Sequence, residues 1–278
     1  MKKTLMKSIY RNIALSLLLT AILLFAGCSN SENERTVLWK FQNFKKLSYN
    51  LTQNTKVSPA TGIFAAFGIT NKATGKLTIT PTSENTADID LKDLNMGENG
   101  ELLLQNLKKD NGELPDIFIK GLKTDGTIEG KISEAMQLFY TGVLPVPTKD
   151  LAVGESVVLP IKMPMKAFGL PVTMKGTQTL TLKSIKKNLY KFENDILINQ
   201  VAEGSAQEPQ EIKGKGNYIF DVEKGYFTEA EVELKTKIKM SDLQKNAASN
   251  ENMPFKIDFN DMIMNFTSAI TLDLDKVE

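Results

Sequence analysis

The chain has 278 residues, 34 basic and 33 acidic side chains, no histidine and one cysteine. Without histidine there is no Ser-His-Asp or Cys-His catalysis and no imidazole-ligated zinc or iron. A formal charge of +1 supplies no basic footprint for nucleic acid.

In chain order, the N-terminus carries Lys2, Lys3, Lys7 and Arg11 and no acid. Residues 13–26 form a 14-residue apolar run broken only by Ser16 and Thr20, and small Ala26 and Gly27 precede Cys28. That is the layout of a secretory signal, and the run is shorter than the about 20 residues a spanning helix needs. Phe25-Ala26-Gly27-Cys28 resembles the bacterial lipobox, whose cysteine is lipidated and becomes the new N-terminus. Phe25 departs from the aliphatic residue usual there but keeps an apolar side chain. The resemblance implies a cleaved signal peptide over residues 1–27 and a membrane partner reached through lipidated Cys28. Each buried acyl methylene contributes about 0.8 kcal/mol and one chain alone holds weakly; lipoproteins of this kind carry three chains. Lipidation also uses the only thiol, which would otherwise be an odd leftover in an exported protein. In Gram-negative envelopes an Asp after the cysteine retains a lipoprotein in the inner membrane, so Ser29 reads as an outer-membrane address.

Loss of Lys2, Lys3, Lys7 and Arg11 takes the 34 basic residues to 30 against 33 acidic, a formal charge of −3. That charge gives no strong field for steering a charged partner. Residues 28–35 are polar and read as a tether. Residues 36–278 read as a β-rich domain, either one unit or two lobes split near 130–150. Residues 60–67 fit a short helix or a buried strand. Asn99-Gly100, Asn111-Gly112 and Asp125-Gly126 are hairpin signals, because both residues tolerate positive φ. Residues 133–140 form the best helix candidate, with Ala135, Met136 and Phe139 on one face and Ser133 as cap.

From there period-two alternation dominates. Val172, Met174, Leu180 and Leu182 share one face, and Tyr190, Phe192, Ile196 and Ile198 another. Residues 228–240 place Ala230, Val232, Leu234, Ile238 and Met240 opposite Glu229, Glu231, Glu233, Lys235, Lys237 and Lys239. Glu223-Lys224-Gly225 reads as the turn before that strand. Met262, Met264, Phe266, Ile270, Leu272 and Leu274 form the last such face. Runs this long exceed the usual strand of about 5–6 residues and need twist to keep pairing. The expected fold is all-β with minor α: a large curved antiparallel sheet, half-barrel or sandwich-like.

Residues 137–235 carry Leu144-Pro145, Leu151-Ala152-Val153-Gly154-Glu155-Ser156, a strand from Gly176 to Leu182, a long strand to Val201, and Gly214-Lys215-Gly216-Asn217-Tyr218-Ile219-Phe220-Asp221 before Lys224-Gly225. This pattern resembles an uncharacterised family of β-rich bacterial envelope lipoproteins, and residues 44–50 fit that family's opening strand. The resemblance speaks to fold, since the family has no established activity. The architecture is also similar to periplasmic lipid and lipoprotein carriers with half-barrel folds, which is analogy.

Four candidates for chemistry remain. Met163, Met165, Phe168 and Leu170 lie in a proline-flanked segment barred from a central strand; they read as an apolar lip, with methionines adapting to a varied ligand, or as a loop packed on the sheet. Ser184 and Lys187 match a Ser-x-x-Lys spacing, but at a strand end rather than on a helix. Asp88 with Asp90, and Asp273 with Asp275, pair carboxylates on one strand face, without the glycine and terminal Glu of a calcium loop. No motif implies a metal or cofactor. The expected function is therefore a non-enzymatic binding module for an apolar ligand or lipid on a concave sheet face. The alternative is a structural or surface-interaction lipoprotein with an envelope protein partner.

Overall fold

A computed structural model describes residues 36–60, 68–95, 97, 117–129, 143–167, 170–202, 210–239 and 263–278. They form ten strands: β1 (Leu47–Pro59), β2 (Ile69–Pro81), β3 (Thr86–Asn95), β4 (Ile117–Lys123), β5 (Ser156–Ala167), β6 (Leu170–Lys186), β7 (Leu189–Ala202), β8 (Gln210–Asp221), β9 (Tyr226–Lys239) and β10 (Ile263–Val277). All lie in one antiparallel sheet of order β4-β3-β2-β1-β10-β9-β8-β7-β6-β5. Two meanders, β1–β4 and β5–β9, are joined because β10 pairs with both β1 and β9. The sheet is open, with β4 and β5 as its edges. Strands from both sides of residues 130–150 share this one sheet, and residues 36–278 form one compact unit. Among the described residues the architecture is one large curved antiparallel sheet, with no second sheet facing it. Helical structure among the described residues is confined to a 3-10 turn, Phe41–Asn43, and the single residue Val143. The helix expected at 133–140 and residues 61–67 lie outside the described residues, as do the Asn99-Gly100 and Asn111-Gly112 turns.

Alternation decides which face is which. Along β9 the inward positions are Ala230, Val232 and Leu234, while Glu229, Glu231, Lys235 and Lys237 take the other face. The register carries the same parity into every neighbour: Val232 faces Gly216 and Ile270, Gly216 faces Asn194, and Asn194 faces Leu180. Followed across all ten strands, no inward register position holds Asp, Glu, Lys or Arg. Burying an unpaired charge costs far more than an apolar contact returns, so the acidic and basic residues fall on the outer face.

The two described turn signals are turns. At Glu223-Lys224-Gly225, Gly225 has φ +78, and Asp221 Oδ1 accepts from the Glu223 and Lys224 amides at 3.1 and 3.0 Å. At Asp125-Gly126, Gly126 has φ +82 and Asp125 Oδ1 accepts from the Thr127 amide at 2.9 Å.

Curvature follows from a pair of adjacent hydrogen bonds. The Trp39 amide donates to Thr124 O at 2.9 Å, just past β4, and the Lys40 amide donates to Gly225 O at 3.0 Å, in the β8–β9 turn. Five strand steps separate β4 from β9, roughly 24 Å in a flat sheet. Neighbouring residues lie only about 3.8 Å apart. The sheet must therefore curl until these strand ends meet, and residues 36–46 strap that end closed. Asn43 Nδ2 extends the strap, donating to Glu223 O and Lys224 O, each at 3.1 Å.

Both edges resist further pairing. β5 carries Pro160 and Pro164, whose even spacing removes amides on one side of the strand. β4 is short and bulged: Gly121, at φ +76, takes the extra position opposite Asp88, whose Oδ1 accepts its amide at 3.1 Å.

Candidate functional site

The strapped end of the concave face is an aromatic floor. Trp39, 1% exposed, stacks on Phe41 at 6.2 Å and meets Phe220 and Phe227 edge-on at 6.3 and 5.5 Å. Phe220 and Phe227 pack at 4.8 Å, Phe41 on Phe44 at 6.2 Å, and Phe44 on Tyr226 at 5.8 Å. Such edge-to-face pairs contribute about 0.5–1.5 kcal/mol each beyond burial. Buried Val143, Leu144 and Val146, from the connection between the two sheet edges, belong to the same core. Tyr49 fixes β1 to this floor through its hydroxyl, which donates to Phe227 O at 2.7 Å.

Above the floor the apolar wall is interrupted by a polar inset. Gln178 on β6 and Asn194 on β7 are each 2% exposed. Asn194 Nδ2 donates to Gln178 Oε1 at 2.9 Å and to the Tyr218 hydroxyl oxygen at 3.2 Å. Tyr218 on β8 is fully buried. Burial pushes its phenol well above the usual tyrosine range, and the Asn194 hydrogen bond offsets part of that rise. Glycine makes the arrangement possible: a Cβ on Gly216 would overlap the Tyr218 phenol, so the ring lies over the bare backbone facing Asn194. A second inset joins β1 to β10, where Gln53 Nε2 donates to Ser268 Oγ at 2.9 Å.

Towards the other strand ends burial relaxes. On β1, Leu47, Tyr49 and Leu51 are buried, whereas Gln53, Thr55 and Val57 are half-buried. On β10, Leu272 and Ile270 are buried and Phe266 and Met264 half-buried; Leu234 and Ile212 on β9 and β8 are half-buried as well. The concave face thus runs from a sealed aromatic floor to a partly exposed apolar rim.

The residues expected as an apolar lip take a different form. Met163 and Met165 lie within β5 and Leu170 begins β6, with Met163 opposite Met174, Met165 opposite Val172 and Ala167 opposite Leu170. The segment is the end of a strand pair at the sheet edge, not a loop. Proline is tolerated there because an edge strand has no partner on one side. Phe168 lies outside the described residues, as does Cys28. Leu159 and Ile161, at the preceding positions of the Met163–Met165 parity, are buried.

Three of the four paired carboxylates hold other groups of the fold. Asp88 holds the Gly121 bulge, Asp90 pairs with Lys92 at 2.6 Å, and Asp275 pairs with Lys76 at 3.3 Å. Ser184 sits on β6 opposite Lys191, and Lys187 is in the following turn with φ +55, so no helix aligns them. Among the described residues no group of three or more acidic residues converges as a metal site.

The polar inset escapes a reading by apolar alternation, but it leaves a signal. The apolar parity of residues 172–182 breaks at Gly176 and Gln178, that of 190–198 at Asn194, and that of 262–274 at Ser268. Three of those four gaps are the buried polar residues. No family model matches the chain and no curated protein matches its sequence.

Proposed function

We propose that the chain is a membrane-anchored bacterial lipoprotein whose β domain is a non-enzymatic binding module, holding an apolar ligand or lipid against its concave face. One observation carries the reading. The inward face of ten strands is uncharged, sealed at one end by Trp39, Phe41, Phe220 and Phe227, and half-buried at the other through Val57, Ile212, Leu234 and Phe266. Apolar side chains left part-exposed on a concave surface gain about 25 cal/mol per Å² when a ligand covers them. The anchor belongs to the same proposal: Cys28 carries the lipid, and Ser29 directs the protein to the outer membrane.

The test is native mass spectrometry and solvent extraction of the full chain released from membranes in a neutral detergent. A co-purifying apolar molecule in stoichiometric amount supports the reading; an empty protein after mild release, with no uptake of added lipid, sinks it. Cys28→Ser addresses the anchor separately. Membrane retention and acyl labelling should both be lost, and retention unchanged would refute lipidation.

A second reading has its own support. The chain itself covers the floor with residues 36–46 and 143–146, as a surface-interaction lipoprotein with a self-filled core and a protein partner would. Crosslinking in intact cells that captures a stoichiometric envelope protein, with no lipid recovered, would favour it.

A further inference from the structure

The charges of the outer face are sorted along the strands, as the register shows. The cross-strand row through Thr52, Thr271, Glu231, Asn217 and Glu193 holds those two acids and no lysine. Two rows nearer the open end, the row through Lys56, Thr267, Lys235, Lys213 and Leu197 holds those lysines and no acid. Lys213 stands directly opposite Lys235, and in the next row Lys162 stands opposite Lys175. Like charges directly opposite on neighbouring strands are destabilising. Lys56, Lys175, Lys213, Lys235 and Lys237 are all exposed. Glu211 pairs with Lys213 and Glu233 with Lys235, each at 2.7 Å, but such exposed pairs contribute little. The half-buried apolar rim of Val57, Ile212, Leu234 and Phe266 lies at this same end, on the inner face. The open end thus carries a lysine collar outside and uncharged apolar side chains inside.

We propose that the open end of the sheet docks on an anionic phospholipid surface, with the lysine collar on the headgroup phosphates and the apolar rim at the edge of the hydrocarbon. The inference goes beyond the binding-module reading and needs no ligand inside the sheet. Interfacial binding grows with buried apolar area and with attraction to anionic lipid, and the open end offers both. Lysine stems lie along apolar surface while the ammonium stays in the polar layer. The chain's formal charge of +1 supplies no long-range pull. The contact therefore depends on the local sorting of charge, which acts within a Debye length of about 8 Å at physiological salt. Collar and rim together fit a surface that presents phosphate and hydrocarbon side by side better than they fit an acidic protein.

The test measures flotation of the full chain carrying Cys28→Ser, which has no acyl chain of its own to hold it, with vesicles of phosphatidylglycerol and of phosphatidylcholine. Phosphatidylglycerol should be preferred, and the preference should fall as salt is raised. Lys213→Gln, Lys235→Gln and Lys237→Gln together should weaken binding to phosphatidylglycerol about a hundredfold, at about fivefold per lysine. Lys183→Gln, Lys186→Gln and Lys191→Gln together remove the same charge from exposed positions at the sealed end and should leave binding unchanged. The N-terminal region is common to all these proteins, so its own basic residues cancel in the comparison. Equal binding of the two vesicles overturns the proposal and leaves the collar to an acidic protein. Equal losses in the two triple variants, or none in the open-end triple, overturn it as well, because attraction would then follow total charge or the N-terminus. The vesicle comparison needs no collar variant, so a misfolded triple does not protect the idea.

Discussion

Gly216 and Tyr218 act as a pair. A methyl at Gly216 enters the space of the Tyr218 phenol, and overpacking of this kind costs about 1–3 kcal/mol. Gly216→Ala should lower the urea midpoint by that amount in the wild-type background and by much less beside Tyr218→Leu; additive losses would show that the ring does not fill the glycine's space. Tyr218 also sets a pH response. Its folded-state pKa lies above the ordinary value of 10.0 because burial disfavours the phenolate. The unfolded chain ionises there first and the native chain keeps its proton, so the Tyr218 contribution to stability is constant below about pH 10 and is lost as pH rises beyond it. Thermal unfolding across that range should show the decline, and Tyr218→Phe should remove part of it. These residues were legible only as interruptions. Gln178, Asn194 and Ser268 break an apolar alternation, but one sequence does not tell whether such a break is a twist, a bulge or a buried polar partner. The partners of Asn194 lie 16 and 24 positions away and that of Ser268 lies 215 away, all chosen by register.

Strands were the most readable elements, because each has one charged and one apolar face and the period of two admits no helix. Register and edges were less so. The stretch from Met163 to Leu170 looked like a loop because of its prolines. It is the margin of the sheet, where a missing amide faces no partner. Proline at that edge guards against pairing with a second chain. Pro160→Val with Pro164→Val should therefore increase self-association in light scattering at unchanged secondary structure; a strictly unchanged oligomeric state would remove the edge-guard role. The strap was missed: Val37, Trp39 and Phe41 alternate with Leu38, Lys40 and Gln42, but the place of residues 36–46 is set by distant bonds at Thr124 and Gly225. Trp39→Ala should cost about 3–5 kcal/mol, as for other large aromatic deletions, measured by circular dichroism in denaturant.

At the scale of the molecule, the sequence supports a large antiparallel sheet but not its closure. Half-barrel and sandwich share the same strand alternation and differ in what faces the apolar side. That is decided by non-local contacts: β10 joining two meanders, and consecutive amides of Trp39 and Lys40 reaching both β4 and the β8–β9 turn. The result is a concavity with an uncharged wall, an aromatic floor and a rim of half-buried apolar side chains, the basis for the binding function proposed. Trp39 is the chain's single tryptophan and sits in the floor, which makes it a built-in reporter. The most direct measurement titrates the full chain in neutral detergent with a monoacylglycerol brominated along its acyl chain, against the unbrominated lipid, while following Trp39 emission. A ligand held in the cup predicts saturable quenching near equimolar brominated lipid, with no quenching by its unbrominated twin. Emission that stays unchanged, or falls linearly without saturation, would contradict it.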